Sequence, residues 1–112
     1  MNDGPTFYTG LRTADGCLVF VHEPGRAGRR LPLRLDLDNH SPTGFEWGYG
    51  GSGPAQLALA LLADVLKDDE RALALHQRFK FKVIGALPRD PQWQLSSDFI
   101  RKVVADLERE AA

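Results

Sequence analysis

An intrachain disulfide is closed to this chain. Its single cysteine, Cys17, has no second thiol to meet, and a cysteine zinc cage is excluded with it. Charge of one sign is scarce too. Lysine and arginine number 14 against 15 acidic residues, a formal net charge of −1. That balance disfavours both a generally basic nucleic-acid binder and an acidic tail protein. Long apolar runs are missing: the most apolar stretch, Leu57 to Leu66, contains Asp64 and spans about ten residues, where a bilayer crossing needs about 20. The start, Met1-Asn2-Asp3-Gly4-Pro5, lacks the basic residues and apolar run of a secretory signal. These absences describe a soluble, cytoplasmic protein with no membrane partner, and the lone thiol fits a reducing compartment. What is there is ordinary globular material. With 112 residues, 43% hydrophobic and 26% charged, the chain can bury a core as one domain over residues 1–112.

The first half reads as strands. Thr6 to Glu23 has the composition of a hairpin, with Thr13-Ala14-Asp15-Gly16 as its turn and Gly16 free to adopt positive φ. Leu31, Leu33, Leu35 and Leu37 alternate with Pro32, Arg34, Asp36 and Asp38. That period of two predicts a half-buried strand, at a sheet edge because Pro32 cannot donate.

The second half reads as helices. Pro54 suits a first helical position, and Gln56 stands where a capping-box side chain reaches back to Gly53. Ala55 through Leu66 is apolar almost all round, broken by Gln56 and Asp64, which predicts a buried helix over residues 54–67. Asp68 or Asp69 caps a second helix, predicted over residues 70–87 from the good helix formers of Glu70 to Arg78 and the helical spacing of Ala72, Leu75, Phe79, Val83 and Leu87. Phe79, Phe81 and Val83 also alternate as in a strand, so residues 79–85 stay open between helix and strand. Pro88 and Pro91 stop the element. Trp93 and Leu95 anchor an extended connection. Ser96 or Ser97 caps a last helix with the stripe Phe99, Ile100, Val103, Val104 and Leu107, and Ala111 and Ala112 fray. The fold class is α+β: a small antiparallel sheet from the N-terminal half, packed on a buried central helix, with two further helices.

Four groups of residues carry candidate chemistry. Five of the 11 glycines lie between positions 44 and 53. There Gly50, Gly51, Ser52 and Gly53 run into a helix start, where unpartnered N–H groups and the helix dipole favour an anion. No lysine follows, and Pro54 removes a donor, so this is no Walker loop; the same glycines also suit a tight turn seated on the buried helix. Phe45, Trp47 and Tyr49 alternate, so in an extended chain their rings share one face, to stack on a ligand or to fill the core. Glu46, between them, is an acid–base candidate or a hydrogen-bonded structural carboxylate. Asp36, Asp38 and His40 also alternate; oxygen and imidazole ligands on one face suit a divalent ion. The solvated side of an edge strand reads the same way, and no metal is assigned. Arg26, Arg29 and Arg30, with Arg34 close by, form a basic loop of the kind that follows a phosphate backbone, or a solvated one. Arg78, Lys80 and Lys82 form a second basic group. His22 and His76 stand isolated, with no nucleophile pattern beside them.

The run Phe-Glu-Trp-Gly-Tyr-Gly-Gly-Ser-Gly-Pro-Ala-Gln-Leu-Ala-Leu-Ala-Leu-Leu, residues 45–62, resembles the signature of a family of small bacterial and phage-associated proteins catalogued as a domain of unknown function. The resemblance extends to Tyr8-Thr9-Gly10-Leu11-Arg12, to Gln77-Arg78-Phe79-Lys80, and to Leu87-Pro88 with Trp93 and Leu95. It implies an intracellular stand-alone domain carried on mobile elements, and no catalytic residue comes with it.

The functional expectation is a small non-enzymatic binding or interaction module. Its ligand site is Glu46, Trp47, Tyr49, Gly50, Gly51, Ser52 and Gly53, with no cofactor, and its partner is a small anion or a protein. The alternatives are a small metal-assisted hydrolase or nuclease, which needs Glu46, or Asp36 with Asp38, to converge with His40, and nucleic-acid association through Arg26, Arg29 and Arg30.

Overall fold

The computed structural model describes residues 4–89 and 92–111. The readings of Met1 to Asp3, of Pro91 as a helix stop and of Ala112 as a frayed end lie outside the described residues. A hairpin opens the chain: β1 (Phe7–Thr13) pairs antiparallel with β2 (Gly16–His22). Gly16 turns it at φ 117°, a conformation that suits glycine. A two-residue strand, β3 (Arg29–Arg30), adds to the β2 edge. β4 (Gln92–Ser96) returns to pair antiparallel with β1, giving the order β3-β2-β1-β4. The segment read as an extended connection at Trp93 and Leu95 is therefore a fourth strand from the far end of the chain.

Gly10 explains how β4 fits. It stands opposite Trp93 across the β1–β4 pair. A Cβ on Gly10 would meet the Trp93 indole at 2.2 Å, so the ring lies flush on bare backbone. Trp93 then meets Trp47 edge-on, with ring centroids 5.5 Å apart and planes at 89°, the arrangement aromatic quadrupoles favour.

The expected buried helix is α1 (Ser52–Leu66), with every residue from Gly53 to Ala63 buried. It starts two residues earlier than its proline suggests, so Pro54 is third in the helix. Its polar break, Asp64, is satisfied from the sheet. The Tyr8 hydroxyl donates to Oδ2 at 2.5 Å, and Arg29 Nη2 donates to Oδ1 at 2.8 Å. Burial first, and then that hydrogen bond, push the Tyr8 phenol above its ordinary range. Lys67 closes α1 in the left-handed region, at φ 53°.

α2 (Asp69–Phe79) is capped by Asp68, whose carboxylate accepts the Arg71 N–H at 3.1 Å. The long helix expected over 70–87 changes type instead. Residues Lys80–Ile84 form a π turn, closed by the Gly85 N–H donating to the Lys80 carbonyl at 2.8 Å. The alternation at 79–83 has its cause here. The wider turn buries Phe79, Val83 and Ile84 but leaves Phe81 68% exposed. α3 (Ser97–Ala111) is capped by Ser96, which accepts the Phe99 N–H at 3.1 Å. The ion pairs Arg71–Glu108 and Lys82–Glu110 tie it to α2 and the π turn.

The strand expected over Leu31 to Asp38 does not form. Arg34 takes φ 58°, outside the strand region. The Leu37 N–H turns back to the Arg34 carbonyl at 3.0 Å, and Pro32 has no N–H to extend β3. The period of two matches neither backbone pairing nor a strict alternation of burial: Leu31 is buried and Leu33 and Leu37 pack half-buried on the core, but Leu35 is exposed.

Candidate functional site

The glycine and aromatic run forms no strand, and its rings do not share a face. Phe45 and Trp47 enter the core. Gly48 then turns the chain at φ 87°, and Tyr49 emerges 41% exposed. Two close approaches seat the run. A Cβ on Gly53 would come within 2.7 Å of the Glu46 Cβ, so the segment lies directly on the first turn of α1. The Gly48 N–H donates to the Ile84 carbonyl at 3.0 Å, fastening the run to the π turn.

Glu46 sits at the rim, held by a cation from the sheet. Arg12 Nη1 donates to both carboxylate oxygens, at 2.8 and 2.9 Å, and its guanidinium lies 4.9 Å from the centre of the Trp47 ring. Partial burial raises the Glu46 carboxyl, but Arg12 and the Trp47 N–H outweigh it, and the group ends below the ordinary carboxylate value. A Glu46 held ionised in this way is a structural anion; it has no raised proton affinity for acid–base work. The same arginine nitrogen reaches the Cys17 sulfur at 3.4 Å. Burial nevertheless pushes that thiol up, away from a reactive thiolate.

Arg12, Glu46, Trp47, Tyr49 and Arg89 line one shallow open pocket of about 370 Å³. Arg89 caps it with its guanidinium 5.4 Å over the Tyr49 ring and its Nε on the Gly48 carbonyl. It has no carboxylate partner among the described residues. Gly50, Gly51 and Ser52 are not among the pocket's lining residues; they lead into α1, where Gly51 is the capping residue and its backbone lies against the Tyr49 ring.

Gln56 does something other than cap. Its fully buried amide Oε1 accepts the N–H groups of His40 and Ser41 at 2.8 and 3.0 Å. Its Nε2 donates to the carbonyls of Leu33 and Asp38 at 2.7 and 3.1 Å. One side chain with all four bonds made holds the whole loop 33–41 against α1.

That loop brings Asp38 and His40 to His76, the histidine that looked isolated, on α2. The His40 and His76 Nε2 atoms are 2.9 Å apart, and Asp38 Oδ2 is 3.4 Å from His40 Nε2. His76 is buried, and its Nδ1 faces the Leu73 carbonyl at 2.8 Å. Burial, helped by its neighbour His40, pushes the His76 pKa below the ordinary value. Asp36 is elsewhere: Arg34 grips it through Nε and Nη2 and also reaches Asp69. The convergence required for metal-assisted hydrolysis is thus not reached by Glu46 or Asp36, which both face arginines. Of that set only Asp38 meets His40.

The basic loop is divided. Arg29 turns inward to Asp64 and Glu23, while Arg26 and Arg30 are exposed. Arg12, Arg89 and His76 were missed because each acts across a long stretch of sequence. Only the helical spacing of His76 from Ala72 and Phe79 hinted that it faces inward.

An α+β domain with a buried helix, a cation-rimmed aromatic pocket and a separate histidine–aspartate cluster is the class of molecule this is. The chain belongs to DUF6166, a family of unknown function, whose model matches residues 8–106. No curated protein and no solved structure matches the chain.

Proposed function

We propose that the protein is a small non-enzymatic binding module whose recognition surface is the pocket built on the glycine and aromatic run. The observation that carries this reading is the exposed Tyr49 ring with the Arg89 guanidinium over it, 5.4 Å away, at the mouth of that pocket. A flat ring stacks on Tyr49, and an anionic group on the same ligand meets Arg89. Arg12 is already neutralised by Glu46, so it positions Trp47 and the rim. The first turn of α1 adds partial positive charge beside Gly50 to Gly53. The ligand is therefore a small anion with a planar ring, of nucleotide or aromatic carboxylate type.

The module is read as cytoplasmic and, by its signature, as bacterial or phage-associated. The free thiol of Cys17 suits a reducing compartment, and no helix among the described residues is long and apolar enough to cross a membrane.

The test is titration of nucleoside phosphates and aromatic carboxylates, followed by tryptophan emission and by melting temperature. A saturable change that disappears in Tyr49→Ala and in Arg89→Ala, and persists in Arg26→Ala, is expected. A flat response across the panel removes the pocket as the recognition surface. A change lost in Arg26→Ala moves binding to the basic loop.

A further inference from the structure

We propose that Asp38, His40 and His76 form a binding site for one divalent transition-metal ion of the zinc class. One ligand atom from each lies within 4.8 Å of the other two, and the two imidazole Nε2 atoms are 2.9 Å apart. Tetrahedral zinc, with bonds of about 2.0–2.1 Å to nitrogen, holds its ligands about 3.3–3.5 Å apart. The cluster needs adjustments of a few tenths of an ångström for the histidines and about an ångström for the carboxylate. The Asp38 side chain is half exposed, so it can make such a movement while its backbone stays held.

Three features beyond proximity prepare these groups as ligands. First, His76 Nδ1 faces the Leu73 carbonyl at 2.8 Å, which places the proton on Nδ1 and turns the Nε2 lone pair toward His40. This is the orientation that backbone carbonyls impose on metal-bound histidines. Second, Gln56 clamps the backbone of both loop ligands, through the Asp38 carbonyl and the His40 N–H. The amide doing so is fully buried with every bond made, so the loop ligands stand on a rigid support. Third, the ligands come from two elements, a loop seated on α1 and the last turn of α2. An ion here links them.

The donor set selects the ion. Two imidazoles and one carboxylate suit zinc, cobalt or nickel, whereas magnesium and calcium prefer all-oxygen surroundings. Three protein ligands leave a fourth position on the solvent side, next to the half-exposed Asp38, where water completes the shell. The inference stands apart from the aromatic pocket, since it shares none of that pocket's residues.

The test uses the full chain without an affinity tag. Zinc and cobalt are titrated by calorimetry and by thermal melting, and the visible spectrum of the cobalt form is recorded. One ion per chain, a raised melting temperature and a visible cobalt band without a near-ultraviolet thiolate band are expected. Asp38→Asn, at the surface and neutral to folding, should weaken zinc by about tenfold or more. His40→Ala should abolish binding, and Asp36→Asn should leave it unchanged. Absence of zinc binding overturns the proposal. So does equal binding by Asp38→Asn and His40→Ala, a thiolate band that places the ion on Cys17, or magnesium binding as tight as zinc.

Discussion

Two loops lie against the N-terminal half of α1, and they are fastened by opposite means. The glycine and aromatic run, residues 44–53, is fastened by shape. Its backbone descends onto the helix where Gly53 offers no side chain, and Phe45 and Trp47 plug the core. The leucine loop, residues 31–41, is fastened by polarity. Its carbonyls and N–H groups converge on the four hydrogen-bonding positions of Gln56. The first device is local, so it is visible in a short stretch of sequence. The second is a bargain between residues far apart in the chain, so it is invisible there. Each loop delivers a different kind of group to the surface: an aromatic ring beneath a guanidinium in one case, an imidazole and a carboxylate in the other.

Both loops depend on the helix they share, and the largest effect comes from removing it. Leu61 is fully buried at the centre of α1. Leu61→Asp puts an unpaired carboxylate there at a cost of several kcal/mol, comparable with the whole stability of a small domain. The expected result is loss of the cooperative melting transition in circular dichroism. Retention of wild-type melting would mean that α1 is not the common support.

The next substitution separates the loops. Gln56→Leu keeps the volume and removes all four bonds, leaving the His40 and Ser41 N–H groups and two carbonyls without their partner. A loss of about 3 kcal/mol in chemical denaturation is expected. Zinc affinity should fall with it, while ligand binding at Tyr49 and Arg89 should persist in the folded fraction. Equal loss at both sites would show that the two loops are one cooperative unit.

How much of this was legible beforehand follows from the same contrast. The hairpin turn at Gly16, the buried helix, the Asp68 and Ser96 caps and the α3 stripe all rest on patterns within one or two turns of chain, and they form there, although α1 starts two residues early and Phe99 of the stripe is exposed. The strand over Leu31 to Asp38 does not form because alternating leucines say nothing about hydrogen-bond partners, and even their burial breaks down at the exposed Leu35. Here the partner was a glutamine side chain. β4 was missed because a short strand pairs with whatever edge the fold brings to it, and the bare backbone of Gly10 that receives Trp93 lies far away in sequence. The π turn arises from fitting Phe79, Val83 and Ile84 into one core, a tertiary demand that a helical period cannot foretell. His76 escaped notice as a candidate for the reason that made it look inert: its partners are 36 and 38 residues upstream.

Gly53→Ala attacks the shape-fastened loop alone. Alanine is the better helix former by about 1 kcal/mol. Its Cβ, however, would sit 2.7 Å from the Glu46 Cβ and 3.2 Å from the Glu46 backbone nitrogen, atoms that cannot rotate away. Such overpacking costs about 1–3 kcal/mol, so the sign is expected to be a net loss of about 1 kcal/mol by denaturant midpoint, with zinc binding unchanged. A gain in stability would show that the run rides loosely on α1.

The smallest effect belongs to the rim. Glu46 faces Arg12 with its side chain about a third exposed, and exposed pairs of this kind contribute less than about 1 kcal/mol. Its folded carboxyl lies below the ordinary value of 4.5. The unfolded chain therefore takes up its proton first as the pH falls, and the pair's contribution is complete above 4.5 and lost as the pH drops through the folded value. Melting temperature in Glu46→Gln should run slightly below wild type at neutral pH and converge on it in acid. Lines that stay parallel down to the acid limit would mean that Arg12 stabilises the rim through its contact with the Trp47 ring, and that the carboxylate adds nothing to it.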